Sequence, residues 1–181
     1  MFIKTARILI RDFEEKDIAG LYEYLAAPSV NCFYSERVKS YEEALQKLKE
    51  RQSGEIYGNC YAVCLLDSDL IIGEVFAKKE EPDTYSVGWH FNLKYGRKGY
   101  ATEAAEALFN DLFQKDARRI YAYTEDNNIP SQKLCERLGM RKEGLFLEFI
   151  SFINNSDGTP HYENTYQYAI LKKEWKNLSL D

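Results

Sequence analysis

The chain has 181 residues and is 45% apolar, 29% charged and 14% aromatic, with 10 Gly and 4 Pro, which excludes collagen-like, coiled-coil and disordered classes. Its 24 basic and 29 acidic residues sum to −5, the reverse of the basic footprint of a nucleic-acid binder and mildly favourable to cationic partners. No apolar run approaches the ~20 residues of a bilayer helix, and the four cysteines and two distant histidines, His90 and His161, make no metal-ligand spacing.

The N-terminus reaches Lys4 and Arg7 without an apolar leader core. One cytoplasmic domain over 1–181 is therefore expected, with no membrane, nucleic-acid or metal partner and with Cys32, Cys60, Cys64 and Cys135 as reduced, buried small hydrophobes. Residues 6–11 predict a first strand, and 14–26 a helix on the spacing of Ile18, Leu21, Tyr22 and Leu25. A loop over 28–39 carries Phe33 and Tyr34. Ser40, with Glu43 three positions on, opens a second helix as a capping box. The β-branched and aromatic runs 57–66, 70–78 and 85–93, separated by short turns, predict an antiparallel meander. A helix follows over 100–113, then a strand over 119–124. Asn127 or Asn128 caps another helix that stops at Gly139, and a hairpin of 145–153 with 162–171 closes the chain. The order predicts an α+β or mixed-sheet domain, and its exposed edge strands or apolar C-terminal hairpin would support a homodimer.

The junction between strand 85–93 and helix 100–113 is the most informative stretch. No Ser, Thr, Asp or Asn stands immediately ahead of the helix; Gly96, Arg97, Lys98 and Gly99 do. Glycines admit close backbone approach, and uncapped N–H groups at a helix start attract anions. A phosphate or pyrophosphate would satisfy the loop; an ordinary solvated turn is the alternative. Neither a P-loop nor a Rossmann glycine pattern occurs.

Residues 87–105, around Gly96, Arg97, Lys98, Gly99, Tyr100 and Ala101, resemble the acetyl-coenzyme-A motif of the GNAT N-acetyltransferases, in the branch that includes the ribosomal-protein N-terminal acetyltransferases RimJ and RimL. The branch pattern continues through residues 5–17, the Asn128-x-x-Ser131 turn, the segment 138–144 with Glu148 downstream, and the closing strand 166–171. The resemblance implies a mixed, mostly antiparallel seven-stranded sheet, flanked by about four helices and splayed at its central parallel strands. It implies acetyl-CoA as co-substrate, with its pyrophosphate on Gly96, Arg97, Lys98, Gly99, Tyr100, Ala101 and Thr102. The pantetheine would lie along Phe91, Asn92 and Leu93, with Asn128 and Ser131 holding its arm. Four positions depart from the pattern: Gly96 replaces a usual Gln or Arg, Leu93 a Pro, Asn164 an Asp and Cys135 a Tyr.

The expected activity is direct transfer of an acetyl group to a primary amine: a protein N-terminus, a polyamine, an amino acid or an aminoglycoside. Such an amine is largely protonated at neutral pH and must lose a proton. The base candidates are Glu148, which matches the branch's downstream glutamate or is an exposed strand carboxylate, and Glu74, which is a base or a solvent-facing position of its strand. Backbone N–H groups near Phe91 would stabilise the oxyanion. Ser131 is the candidate acid or a first-turn capping hydroxyl, with a packed Cys135 thiol as the lesser choice and Tyr34 as a candidate acceptor contact. His90 reads as structural unless it lines the pocket. The rival readings are a CoA-binding sensor without turnover, suggested by Gly96 and Cys135, and an interaction domain without cofactor, against which Arg97 and Lys98 speak.

Overall fold

Strand segments from the N-terminus and from the middle and C-terminal thirds of the chain build one sheet, and two helical pairs cover its faces. The computed structural model describes residues 1–28, 30–54 and 58–175. The strands are β1 (Phe2–Lys4), β2 (Ile8–Arg11), β3 (Asn59–Leu65), β4 (Ile71–Glu80), β5 (Thr84–Phe91), β6 (Arg119–Glu125), β7 (Arg141–Asn154) and β8 (Pro160–Leu171). They form an eight-stranded sheet in the order β1-β2-β3-β4-β5-β6-β8-β7. The expected count was seven. The additional strand is β1, three residues pairing antiparallel with β2 from Phe2↔Arg11 to Lys4↔Leu9, too short to show a period in sequence. Tyr57, where the second predicted strand began, lies outside the described residues.

The helices are α1 (Ile18–Leu25), α2 (Tyr41–Ser53), α3 (Tyr100–Lys115) and α4 (Ile129–Arg137), and a 3₁₀ turn over Asn31–Glu36 interrupts the expected loop. Ser40 caps α2, its Oγ accepting from the Glu43 N–H at 3.2 Å. The reciprocal bond closes one residue early, because the Lys39 N–H donates to the Glu43 carboxylate at 2.6 Å. Ala104, Ala105, Leu108, Phe109, Leu112 and Phe113 give α3 one buried stripe. It packs against Val63, Ile72, Val75, Val87, Ile120 and Ala122. On the opposite face, α1 and α2 bury Leu21, Tyr24, Leu25, Ala44 and Leu48 against Cys60, Ala62 and Cys64.

Every strand pair is antiparallel except β5 with β6. That parallel pairing covers only Thr84↔Arg119, Tyr85↔Ile120 and Ser86↔Tyr121. β5 nevertheless stays bonded to β4 as far as Gly73↔Phe91, and β6 to β8 as far as Glu125↔Thr165. Residues 87–91 and 122–125 therefore diverge, and the sheet opens between two strands that are each anchored on their outer side.

Candidate active site

The opening is a cleft of about 440 Å³, lined by residues of β5, β6, the segment 92–101, the start of α4 and the 3₁₀ turn. Alternation along β5 gives it two faces. Trp89 points toward α4, its indole N–H donating to Ser131 Oγ at 3.2 Å. His90 points the other way, stacked on Phe33 with ring centroids 3.7 Å apart and edge-on to Tyr24 at 5.0 Å. The Phe76 ring crosses Gly88, its tip only 2.1 Å from where a Cβ would stand, so any side chain there would displace that ring.

Of the predicted cofactor residues, Phe91, Asn92, Leu93, Gly96, Ala101, Asn128 and Ser131 line this cleft. Arg97, Lys98, Gly99, Tyr100 and Thr102 continue the same loop into the first turn of α3. Gly99 is the N-cap at φ +83° and supplies no side-chain cap, so the first N–H groups of a 16-residue helix have no side-chain acceptor. Arg97 adopts φ +60°. A residue the site reading overlooked, Arg7, braces the loop from the β1–β2 connection. It donates to the Lys98 carbonyl at 2.9 Å, stacks over the Tyr100 ring at 4.8 Å and pairs with Glu103 at 2.6 Å. More than ninety positions separate Arg7 from its partners, so no local pattern marks it.

At α4, Asn128 Oδ1 accepts from the Ser131 N–H at 3.3 Å, and Asn128 Nδ2 donates to Glu125 Oε2 at 3.3 Å. Because Ser131 Oγ accepts the indole N–H, its own proton stays available. Cys135 is fully buried, and burial pushes its thiol up to about 12; it packs in the core with Leu134 and Leu138.

Neither of the two carboxylates singled out as bases is among the lining residues of the opening. Glu74 is 3% exposed, buried rather than solvent-facing, with Arg51 Nε and Nη2 donating to its two oxygens at 2.5 and 2.8 Å. Glu148 is exposed at φ +48°. It sits within a bulge where Phe146↔Thr165 is followed by Ile150↔Glu163. Its N–H donates to Asn164 Oδ1 at 2.9 Å, while Asn164 Nδ2 donates to Asp126 at 2.9 Å, so the Asn in place of the family's Asp ties the bulge to the β6–α4 turn. Tyr34 is exposed and is not part of the lining, whereas His90 is. Burial pulls the His90 imidazole down to about 4, against the opposing field of Glu74. Cys32, Phe33, Tyr123, Glu125 and Phe152 also line the walls, and of these only Glu125 carried a sequence signal. Glu125 had one weak signal: an acid ending an apolar strand three residues before a helix cap.

Comparisons with known proteins agree with this geometry. The acetyltransferase (GNAT) domain model matches residues 7–141. The uncharacterised N-acetyltransferase YnaD of Bacillus subtilis (strain 168) is 37% identical over 177 residues, covering 97% of this chain and 99% of YnaD. The crystal structure of a GNAT-family acetyltransferase from Bacillus anthracis superposes with a TM-score of 0.84 at 34% identity, over 96% of this chain and 100% of that one. The RimL ribosomal L7/L12 alpha-N-protein acetyltransferase, solved in complex with coenzyme A, shares the fold at a TM-score of 0.75 and 16% identity, over 94% and 98% of the two chains. A family model over residues 7–141, and relatives at 34–37% identity that match almost end to end, place the chain among the GNAT acetyltransferases.

Proposed function

We propose that this chain moves the acetyl group of acetyl-CoA to a primary amine by direct transfer in a ternary complex in the cytoplasm. One coincidence carries the reading: the unpaired edge of β5 at residues 87–91 leads, through a glycine-bounded loop, into an uncapped α3. The N–H groups of Gly99, Tyr100, Ala101 and Thr102, with Arg97 and Lys98, suit a diphosphate. The unpaired edge of β5 up to Phe91 suits the amides of a pantetheine arm lying as an added strand, Asn92 and Leu93 follow it into the loop, and Asn128 and Ser131 close the far side. Acetyl-CoA, when bound, supplies an activated thioester.

The remaining chemistry belongs to the side chains and backbone. N–H groups near Phe91 stabilise negative charge developing on the acetyl oxygen. The amine nitrogen bonds to the acetyl carbon as the carbon–sulfur bond breaks, and Ser131 Oγ gives its proton to the departing sulfur. Ser131 then regains a proton from the new amide nitrogen's side of the cleft. The four unpaired cysteines suit a reducing compartment.

The test is amine-dependent release of CoA thiol, corrected for hydrolysis, with the product amide identified by mass spectrometry. Release that rises with amine supports the transferase. Tight acetyl-CoA binding with no amine-dependent release supports the sensor reading that Gly96 and Cys135 suggested.

A further inference from the structure

The face of the cleft opposite Trp89 and Ser131 holds a feature that the transferase reading does not use. Glu125 lines the cleft there and is only 7% exposed. Its Oε2 accepts from Asn128, and Cys32, whose thiol is pushed up by burial and then by the field of Glu125, covers it from the 3₁₀ turn. Behind it stands Glu163, 3% exposed. Its Oε1 accepts from Asn31 at 2.8 Å and from Asn127 at 3.0 Å, and its Oε2 is buried with no partner. Glu163 contributes to the same negative field at Cys32.

Among the described residues no cation pairs with either carboxylate, whereas the other deeply buried acids, Asp17, Glu36 and Glu74, each hold an arginine. Buried charge is normally paired. Here only amide and thiol groups answer it, and of the two carboxylates Glu125 lines the cleft.

We propose that Glu125, backed by Glu163, receives the ammonium group of the acceptor, and that the acceptor is a primary amine on an uncharged apolar or aromatic arm. This deepens the transferase reading and rests on it. The arm follows from the aromatic side chains among the lining residues, Phe33, Phe76, Tyr123 and Phe152, with His90 stacked on Phe33. Among the described residues no Lys or Arg lines the cleft, so an amine bearing a carboxylate finds no partner for it. A polycation with many hydroxyls finds one carboxylate and an apolar surface. In the step itself the ammonium gives one proton to the Glu125 carboxylate, and the freed lone pair forms the nitrogen–carbon bond as the carbon–sulfur bond breaks. The second nitrogen proton leaves as the amide forms and balances the one delivered to sulfur.

The experiment compares 2-phenylethylamine with phenylalanine, which differs by a carboxylate, and with spermidine, an aminoglycoside and a short peptide, in the wild type and in Glu125→Gln. The wild type is expected to favour 2-phenylethylamine by about tenfold or more in kcat/KM. Glu125→Gln is expected to lower that value by about 100-fold, with acetyl-CoA affinity changed less than about threefold. The Gln variant should melt no lower than the wild type, because it removes unpaired buried charge while keeping an oxygen for Asn128. If it fails to fold, Glu125→Asp retracts the carboxylate by one methylene and should lose most of the rate while still binding acetyl-CoA. Preference for any of the other four acceptors, no acetylation of 2-phenylethylamine, or undiminished turnover by both variants overturns the assignment while leaving acetyl transfer standing. A wild type that binds no acetyl-CoA overturns the transferase reading and this assignment with it.

Discussion

At the scale of single residues, Ser131 and His90 sit on opposite faces of β5 and make opposite predictions. Ser131→Ala removes the hydroxyl that accepts from Trp89 and that we assign to the leaving sulfur. Steady-state kinetics should show kcat reduced on the order of 100-fold, with little change in acetyl-CoA affinity; an unchanged kcat would reduce Ser131 to a first-turn cap. His90 affects stability through its proton. Its folded pKa is near 4, against about 6.5 in an unfolded chain. Above pH 6.5 neither state binds the proton and His90 has no effect. Between 6.5 and 4 the unfolded chain binds it and the folded one does not, so stability falls as pH falls, by up to a few kcal/mol in all. Urea unfolding of His90→Phe across that window should give a flatter acid limb than the wild type. A parallel limb would contradict the assignment. The sequence marked Ser131 by its position in the Asn-x-x-Ser turn, but it could not tell whether His90 lined the cleft, because that depends on Phe33 arriving from another segment.

At the scale of elements, the bond between α2 and β4 is the clearest energetic claim. Glu74 and Arg51 are both buried and doubly hydrogen-bonded, with Glu36 and Lys47 extending the network. Removing one partner leaves the other buried charge poorly answered, so Glu74→Gln should cost about 3–5 kcal/mol in denaturant unfolding, whereas replacing Arg51, Glu74 and Glu36 together by apolar residues of similar size should cost less than Glu74→Gln alone. A Gln variant as stable as the wild type would show the pair to be energetically idle. Helix caps such as Ser40 and Asn128 were legible because their partners lie three residues away. The Arg51–Glu74 pair spans 23 residues and two elements, so Glu74 remained open in sequence between a base and a surface position. Glu148 was placed by family position alone; it lies in a bulge of β7 and is not among the lining residues of the cleft.

At the scale of the whole molecule, the period-two and helical stripes made the strand and helix order legible, apart from the three-residue β1. The opening was not legible from periodicity. β5 and β6 keep their strand patterns past Ser86 and Tyr121, where their mutual pairing ends, and only the family resemblance implied a splay. Glu125 escaped notice for a related reason: a charge at a strand end reads as solvent-facing until Cys32 and Asn128 are seen to enclose it. What the molecule does depends on whether that opening holds the acyl donor. The most direct measurement is a crystal structure with bound CoA. The account predicts the diphosphate on the N–H groups of Gly99 to Thr102 and the pantetheine between β5 and β6, its sulfur near Ser131. CoA bound elsewhere, or β5 and β6 closed on each other with the start of α3 capped by the protein's own groups, would contradict it.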